Sequence, residues 1–579
     1  MSIPLFFFFV HFKYYHMKYL FTILIALFCS VSLPAKDRTE AQMRSIAKQY
    51  LGLSSNFSTR ASDVTLSRLL SSSQTCVYGS KGAGFVVISK DDAFPAVLGF
   101  SDSDYPEDNL PCGLKWWMQE VDKSLEVRKT ASDYYFPANI KVAAATNFIK
   151  SAWNQMAPYN NLCPTIDGST APTGCVATSM AQIMYYYKYP SAGKGTGSYT
   201  VYGKDKTASY ALDINSSYAW SKMKDRYIRP VDTDNAVATL MRDAGAASKM
   251  QYSTNGSGTS DFWAAQGFCN NFSYDSLALK RYDRDFYSDQ EWMDIVSTEL
   301  TAQRPILYCG QDPVNGGHAF VLDGINEDGL VHVNWGWSGS GNGWYDINVL
   351  KPTSYGGGNL DDGEGYHESQ SMVFGFKTQE KPDDTEENTS LWASTDYSFL
   401  VTDNVLYLNI ADLYNMDFKY FDGIVEIALE DVNNPSNAKT AVVIDTQEDK
   451  QMVPAASGYS FTDSNNNSSS IDLSEDFPDI APGTYKLTMR SKSATESQFQ
   501  PVRVEGGTIS YTLKVSAEGI KSIAKDDPTS TGIQYTQVVK DNSMTRIYDV
   551  NGRGYNSLCP ASRGIYLVKK GNSVRKVCQ

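Results

Sequence analysis

The sequence predicts an α+β protein that is divided into several domains. Its 579 residues are too many for a single hydrophobic core, and about three or four domains are expected. Between Trp153 and Lys377, helical and strand patterns alternate, which predicts a mixed α+β domain. From 391 to 515, short alternating segments are separated by turn-forming clusters such as DVNNPSN and SNNNSSS. That pattern predicts a β-sandwich of immunoglobulin type.

The N-terminal 35 residues have the pattern of a signal peptide. MKYLFTILIALFCSVSLPA, from Met17 to Ala35, holds one lysine, an apolar run and then small residues. We expect translation to start at Met17 and cleavage to follow Ala35, so the mature protein is secreted or held at the cell surface. A lipoprotein site at Cys29 is an alternative, which the large Phe28 before it disfavours.

Charge and cysteine usage exclude several classes of protein. A formal net charge of -14 argues against nucleic acid as a partner, because phosphates demand a basic surface. The nine cysteines are scattered and include no CxxC pair, which argues against a metal cluster and against a disulfide scaffold. No metal and no cofactor are therefore expected.

The segment at 36–145 is predicted to be a small α+β domain. Helical spacing runs from Thr39 to Leu53, and another helix is expected from Cys112 to Lys129. Between them, GFVVISKDDAFPAVLGFSD at 84–102 predicts two strands joined by a polar turn.

Two polar segments predict linkers. TQEKPDDTEENTS at 378–390 is charged and nearly free of apolar residues, so the second domain is bounded at about 146–380. DDPTSTG at 526–532 separates the sandwich from a C-terminal domain at 530–579, where MTRIYDVNGR and RGIYLVKKGNSVRKV predict short strand pairs with glycine turns.

A helix that begins at a cysteine is the first feature that points to chemistry. In TGCVATSMAQIMYYYKYP, Gly174 precedes Cys175, and the residues that follow are free of Gly and Pro until Pro190. At a helix N-terminus, free N–H groups and the helix dipole stabilise a thiolate, which is the reactive form of a thiol. The alternative interpretation is a small buried cysteine in an ordinary helix.

A histidine that follows two glycines is the second feature. Only His318, His332 and His367 lie beyond the leader, so a catalytic base has few candidates. In NGGHAFVLDGIN the glycines leave open space before an apolar strand, and His318 can present its ring to a cleft there. The alternative is a satisfied core histidine, which is also the interpretation that we favour for His332.

Two further segments supply side chains that such a pair requires. Asn334 stands on the expected next strand, where its amide oxygen could accept from the imidazole of His318 and Trp335 could shield that bond from water. Gln155, in WNQMAPYN, is a plausible donor to an oxyanion together with the backbone N–H of Cys175. Taken singly, the Asn-Trp pair could be a packed strand end and Gln155 an ordinary loop amide.

These segments together resemble the streptopain family of cysteine peptidases, peptidase family C10. The resemblance covers residues 150–350 and is carried by GCVATSMAQIMYYYKYP, LMRDAGAASKMQY, RPILYCGQ, GGHAFVLDG and HVNWGWSG in the family's order. It implies a papain-like fold and endopeptidase activity on protein substrates, with a preference for a hydrophobic residue two positions before the scissile bond.

By position in these motifs, the resemblance implies a role for five residues. Cys175 matches the nucleophile, His318 the base, Gln155 the oxyanion donor, and Asn334 with Trp335 the pair that orients the histidine. One departure is Asn154, where the family more often has glycine.

The flanking regions also resemble known segments. Residues 37–145 are similar to the family's propeptide, which implies an intramolecular inhibitor that is removed by a cut between about 130 and 150. The C-terminal MTRIYDVNGR and RGIYLVKKG are similar to sorting domains of type IX secretion cargo, which implies that secretion machinery is a partner; an ordinary small β domain is the alternative.

Three rival interpretations remain open at this stage. A transglutaminase-like acyl transferase would use an Asp as third residue, but Asp323 is an odd number of residues past His318 and points to the other face. An inactive adhesin would make the sandwich the functional part. Cys309 could be the nucleophile, although it follows an apolar strand and lacks a helix terminus.

Overall fold

A computed structural model describes most of the chain after the predicted leader. The described residues are 36–54, 66–130, 144–227, 235–312, 316–348, 370–378, 391–393, 396–449, 452–453, 457–461 and 469–526, with the backbone of four short strands between 545 and 578. The predicted signal peptide, His367 and most of the 378–390 linker lie outside them. Within this part of the chain, every helix is too short or too polar to cross a bilayer.

The N-terminal domain is the α+β unit that its patterns predict. Its two helices are α1 (Glu40–Ser54) and α2 (Cys112–Thr130). Its four strands form an antiparallel sheet in chain order: β1 (Ser67–Ser71), β2 (Thr75–Ser80), β3 (Gly84–Ser89) and β4 (Val97–Ser101). The helices predicted at 39–53 and 112–129 and the strand pair in 84–102 are therefore confirmed.

The second domain holds four helices that carry or support the candidate site. They are α3 (Cys175–Tyr187), α4 (Ala236–Ala247), α5 (Asp261–Phe272) and α6 (Asp289–Thr301). The residues of α3 from Val176 to Tyr185 are all buried, which explains why its sequence is apolar on every side. Helix α6 begins at a capping box, in which Ser288 and Glu291 satisfy each other's backbone N–H groups.

The strands of the second domain make one long sheet and two small ones. They are β5 (Thr165–Ile166), β6 (Ser169–Thr170), β7 (Thr196–Tyr202), β8 (Thr207–Asp213), β9 (Gln251–Ser253), β10 (Gly256–Gly258), β11 (Lys280–Asp283), β12 (Ile306–Asp312), β13 (Gly316–Ile325), β14 (Val331–Asn334), β15 (Gly343–Tyr345) and β16 (Ser371–Phe374). The long sheet continues that of the N-terminal domain, in the order β1-β2-β3-β4-β15-β14-β13-β12-β16-β11.

The two faces of this sheet are covered by different parts of the chain. Ala319 and Val321 of β13 pack with Met180 and other residues of α3 in one buried cluster. Phe320 and Leu322 of the same strand pack in a second cluster, which includes Trp116 of α2 and Trp292 of α6. Since side chains alternate along a strand, β13 separates the helix that bears Cys175 from the helix of the N-terminal domain.

The third region is a β-sandwich with its own hydrophobic core. Its strands are β17 (Leu391–Ala393), β18 (Ser398–Thr402), β19 (Val405–Ile410), β20 (Asp412–Asn415), β21 (Gly423–Asp431), β22 (Asn434–Asp445), β23 (Ser457–Ser460), β24 (Ser469–Asp472), β25 (Gly483–Ser493), β26 (Gln500–Pro501), β27 (Arg503–Val504), β28 (Gly507–Thr508), β29 (Tyr511–Ser516) and β30 (Gly519–Lys525), with one helical turn, α7 (Thr446–Asp449). The last strand extends beyond the boundary predicted at 515.

The C-terminal segment forms a small antiparallel sheet. Its strands β31 (Thr545–Asp549), β32 (Gly554–Tyr555), β33 (Ile565–Lys570) and β34 (Ser573–Cys578) are arranged in the order β32-β31-β33-β34. The whole chain is thus α+β with sheet-rich C-terminal regions, as the sequence predicts.

Candidate active site

Helix α3 begins at Cys175 because the residue before it can adopt a backbone that others avoid. Gly174 has φ 86°, and a Cβ there would lie within 3 Å of the Met250 side chain and the Ser257 carbonyl. Thr178 closes the first turn by donating through Oγ1 to the Gly174 carbonyl at 2.9 Å. The cysteine is thereby held at the first position of a helix, as predicted.

The thiol of Cys175 accepts hydrogen bonds from backbone amides and is partly buried. The N–H of Ala319 lies 3.4 Å from the Cys175 sulfur, and the amides of Val176 and Cys175 also donate to it. Burial raises the pKa of this thiol, and the three amides that lower the pKa do not fully offset it. The thiolate that the helix terminus was expected to favour is therefore disfavoured in this form.

The loop that carries Gln155 is bound tightly to the start of α3. The Gln155 carbonyl accepts from the Thr173 N–H at 3.0 Å, two residues before the cysteine. Asn154 organises the turn, because its Oδ1 accepts from the amides of Gln155 (2.6 Å) and Met156 (3.2 Å). Its Nδ2 donates to the Ser338 hydroxyl at 2.9 Å. The asparagine that departs from the family pattern therefore holds the loop by side-chain bonds.

A buried glutamine, which the sequence interpretation missed, joins the elements of the site. Gln182 lies two helical turns beyond Cys175, and its Oε1 accepts from the Ser151 hydroxyl (3.1 Å), the Trp153 amide (3.3 Å) and Asn334 Nδ2 (3.2 Å). Its side chain is fully buried. A lone glutamine inside the apolar run MAQIM was the available signal, because a buried amide needs partners.

Asn334 is buried and its amide is engaged by this network. Its Nδ2 donates to the Ser151 carbonyl at 2.7 Å, and its Oδ1 accepts from the Gly336 N–H at 3.1 Å and from Gln182 at 3.4 Å. Both lone pairs of the amide oxygen are therefore used in this form. The contact from Asn334 to the imidazole of His318 stays a prediction.

His318 lies on the strand that contacts the thiol, but its side chain belongs to the other face of the sheet. Its direct cross-strand partner is Gly310, and cross-strand partners share a face. A Cβ at Gly310 would lie 2.1 Å from the Trp116 ring, so that face is filled by α2 of the N-terminal domain. The structure thus brings the backbone of β13 to Cys175 while the half-buried imidazole lies on the face that Trp116 covers.

The same helix of the N-terminal domain contacts Trp335. A Cβ at Gly113 would lie 2.7 Å from the Trp335 ring, and this ring also packs on Phe320 with centroids 4.8 Å apart. Burial, and then the nearby Cys175 thiol, raise the pKa of Cys112, the first residue of α2, to about 11. The role predicted for Trp335, to shield a bond between Asn334 and His318, stays a prediction.

The remaining sequence candidates occupy structural positions. His332 Nδ1 lies 2.5 Å from Asp323 Oδ1, and Asp323 Oδ2 accepts from the Ile149 amide at 2.8 Å. This engagement disfavours Asp323 as the third residue of a transglutaminase-like site. Cys309 pairs with Ala319 in the sheet, and burial raises the pKa of its thiol well above the ordinary value.

No group of three or more His, Cys, Asp and Glu side chains is placed to hold a metal ion anywhere in the described ranges. The six cysteines described there, Cys76, Cys112, Cys163, Cys175, Cys269 and Cys309, are free thiols. The chemistry that this site offers is therefore that of a cysteine held at a helix start, with amide donors around its sulfur and a histidine strand beside it.

Cys175, at the start of a helix, lies beside the strand that carries His318, and a separate N-terminal domain packs across that strand. This is the arrangement of a cysteine endopeptidase in its precursor form. Comparison with known proteins agrees with this class. The model of the peptidase C10 family matches residues 153–345, and that of the Spi protease inhibitor family matches residues 35–125. The second match places an inhibitor-like domain where the sequence predicts the propeptide.

Curated relatives extend the match beyond the catalytic motifs. Streptopain of Streptococcus pyogenes is 31% identical over 365 residues, which are 59% of this chain and 90% of streptopain. The thiol protease/hemagglutinin PrtT of Porphyromonas gingivalis is 33% identical over 316 residues, and the match spans only 36% of its length. The chain belongs to the peptidase C10, or streptopain, family.

Solved structures include a fragment of Prevotella intermedia prointerpain A. It is 36% identical, covers 55% of this chain and all of the fragment, and gives a TM-score of 0.47. The active wild-type interpain A of the same organism is also 36% identical and covers 42% of this chain, with a TM-score of 0.35.

Proposed function

We propose that this chain is a secreted cysteine endopeptidase in which Cys175 is the nucleophile and His318 the general base. The observation that supports this most is the position of Cys175, at the first residue of α3 with its sulfur 3.4 Å from the backbone of the histidine strand. The loop that carries Gln155 is anchored beside the same helix start, because the Gln155 carbonyl accepts from the Thr173 N–H at 3.0 Å.

The reaction follows from these groups. His318 takes the proton of the Cys175 thiol, and the thiolate attacks the carbonyl carbon of a peptide bond. The oxygen, now an anion, accepts from Gln155 and from the N–H of Cys175, and one such donor contributes about 10²–10³ in rate. The amine leaves with the proton from His318, and water then hydrolyses the thioester to restore the free thiol. Asn334 orients the imidazole once it faces the thiol.

The N-terminal domain keeps the precursor inactive by covering the face on which the imidazole lies. Trp116 fills the space next to Gly310, which is the cross-strand partner of His318, and Gly113 packs against Trp335. While α2 stays in place, the imidazole cannot turn toward Cys175 and the thiol keeps its raised pKa. A cut between about 130 and 150 removes this helix, exposes the sulfur and frees the histidine to form an ion pair with it.

In this proposal, the two ends of the chain direct its secretion. The 1–35 leader directs export, and the C-terminal domain at 530–579, with its sheet of β31 to β34, is recognised by secretion machinery. Deleting 530–579 is expected to leave the protein inside the exporting cell, which fractionation of a native host would detect.

The catalytic assignment is tested by expressing residues 36–579 with Cys175 intact or changed to Ala. Once the N-terminal domain has been cut off, the form with Cys175 intact should hydrolyse casein and be labelled once by an epoxide thiol inhibitor of the E-64 type. Cys175→Ala and His318→Ala should each lower the rate by at least about 10³. Cys309→Ala is the matched control, since its thiol is also partly buried but lies on a strand, and it should keep most of the activity.

Hydrolysis that survives Cys175→Ala in the processed form would refute the assignment. Casein that is cross-linked rather than cleaved would show an acyl transferase in place of a peptidase. Circular dichroism of each variant separates loss of chemistry from loss of fold.

A further inference from the structure

One end of the β-sandwich lies directly against the peptidase domain. Three of its segments make the contact: the start of β17, the turn after β20 and the hairpin of β27 and β28. On the peptidase side they meet β11, the turn that follows it and the first turn of α6. We call this set of contacts the docking interface.

Trp392 of β17 is the aromatic anchor of the docking interface. It is 2% exposed and stacks on Phe286, with ring centroids 4.2 Å apart and planes 18° from parallel. It packs within the second core cluster of the peptidase, which also holds Trp292 and Phe320, rather than in the core of its own sandwich. A residue of one domain therefore completes the hydrophobic core of another.

Arg503 of β27 provides the polar part of the docking interface. Its guanidinium donates to the Phe286 carbonyl at 3.1 Å and to Glu291 Oε1 at 3.0 Å. It also lies over the Tyr287 ring, 3.9 Å from the centroid, where a cation–π interaction adds to the ion pair. Beside it, the Gly506 N–H donates to the Asp285 carbonyl at 2.6 Å.

A buried ion pair closes the other side of the docking interface. Lys280 Nζ of β11 lies 2.9 Å from Asp417 Oδ1, and the two side chains are 9% and 3% exposed. Next to this pair, Phe262 of α5 packs on Phe418 with centroids 6.0 Å apart. Separating the domains would leave each charge without its partner and would return apolar surface to water.

We propose that the β-sandwich is permanently docked on the peptidase domain. It stays bound through Trp392, Arg503 and Asp417 when the 379–390 segment is cut. Domains joined by a linker usually move relative to each other unless their interface is large and apolar. Here the interface contains a core tryptophan and an arginine, which are the residue types that dominate stable interfaces. It also contains a desolvated ion pair, which is costly to break. The role of the sandwich is thus to complete and stabilise the catalytic domain, whichever residues perform the catalysis.

The test uses the full precursor with Cys175→Ala, so that no self-cleavage occurs. A recognition sequence for a site-specific protease is placed between residues 379 and 390. The chain is cut there and run on a gel-filtration column at about 1 µM, so that pieces elute together only if their Kd is well below that concentration. The two pieces should elute together at the position of the intact chain. Elution as two separate peaks would overturn the proposal.

Two variants show whether the named residues carry the docking. Arg503→Ala and Trp392→Ala are expected to weaken the association of the cut pieces by at least tenfold each, measured by the concentration at which they separate. Leu400→Ala is the matched control, because Leu400 is 50% exposed on the sandwich, and it should leave association unchanged. Unchanged association in Arg503→Ala and Trp392→Ala, or weakened association in Leu400→Ala, would contradict the assignment of the interface.

Discussion

The N-terminal domain and the β-sandwich both pack on the peptidase, but they use different means. The N-terminal domain extends the peptidase sheet by short backbone pairing, in which Phe100 faces Trp344 and Gly99 faces Tyr345. In the described residues the sandwich shares no strand with that sheet and is held by the side chains of the docking interface. The N-terminal domain also contributes Trp116 to the core that Trp392 enters, so the two regions differ in backbone pairing and in the buried ion pair of the docking interface.

Both regions nevertheless reach the same aromatic cluster. Trp116 of the N-terminal domain lies 6.2 Å from Phe320, and Trp392 of the sandwich reaches Phe320 through Tyr287, Trp292 and Tyr308. The two regions differ in the part of this aromatic cluster that each of them covers. Trp116 lies opposite the histidine strand at the site, while Trp392 lies at the far end of the cluster. We expect the first region to leave on activation and the second to remain.

The strongest test of this contrast exchanges each tryptophan for alanine in the precursor. Deletion of either buried ring costs about 3–5 kcal/mol of folding stability. Trp116→Ala should therefore loosen the N-terminal domain and speed self-processing by tenfold or more, as followed by gel electrophoresis at 25 °C. Trp392→Ala should leave processing nearly unchanged but lower the melting temperature of the processed enzyme, by roughly 6 °C or more in calorimetry. Faster processing in both variants would remove the distinction.

The reactivity of the Cys175 thiol should increase when the N-terminal domain is lost but should not change when the chain is cut at 379–390. In the precursor, burial raises the pKa of this thiol, so the thiolate fraction at pH 7 is small. Alkylation by iodoacetamide, followed by mass spectrometry of the Cys175 peptide, should be at least about tenfold slower than in the processed enzyme and should keep rising above pH 9. In the processed enzyme the rate should level off at lower pH, because His318 then stabilises the thiolate.

Equal alkylation rates in the two forms would show that α2 does not control the thiol. The Cys112→Ser variant is the control for the neighbouring thiol of the N-terminal domain. In this variant too, alkylation of Cys175 should be slower in the precursor than in the processed enzyme. Cutting at 379–390 should leave the profile of the processed enzyme as it is.

A smaller effect, on the free energy of unfolding, is expected from the charge of Glu291 in the docking interface. Burial raises the pKa of this carboxyl, but hydrogen bonds and charge from Arg503 and Ser288 lower it more, so the net pKa is depressed. A depressed carboxyl pKa adds stability that is present above the unfolded pKa and is lost as pH falls through the folded value. Glu291→Gln keeps the helix cap and removes the charge, and because the carboxylate is 39% exposed the loss should be below about 1 kcal/mol.

This loss should be seen by urea unfolding at pH 7 and should shrink as the pH falls through the depressed pKa of the wild-type carboxyl, which then becomes neutral as well. A difference that grows as the pH falls would contradict the assigned direction of the pKa shift.

Local pattern was enough to predict the elements and to select the candidate site residues. The helix that starts at Cys175, the helix from Cys112 and the strand pair in 84–102 follow from caps, glycines and periodicity, which act over a few residues. The candidates Gln155 and His318 were selected by residue type and by order along the chain. What pattern missed was Gln182, because its partners come from segments about 30 and 150 residues away.

By its residues alone, the sequence determined the α+β class and the cysteine at a helix start, and its resemblance to the streptopain family implied a propeptide ahead of the peptidase. Tertiary structure decided which face of β13 each group occupies, and so why His318 lies on the face that Trp116 covers while the backbone of Ala319 contacts the Cys175 sulfur. It also decided that Trp392 packs in the core of the peptidase instead of that of the sandwich. Propensity is a property of neighbouring residues, whereas burial and pairing depend on which distant segments meet.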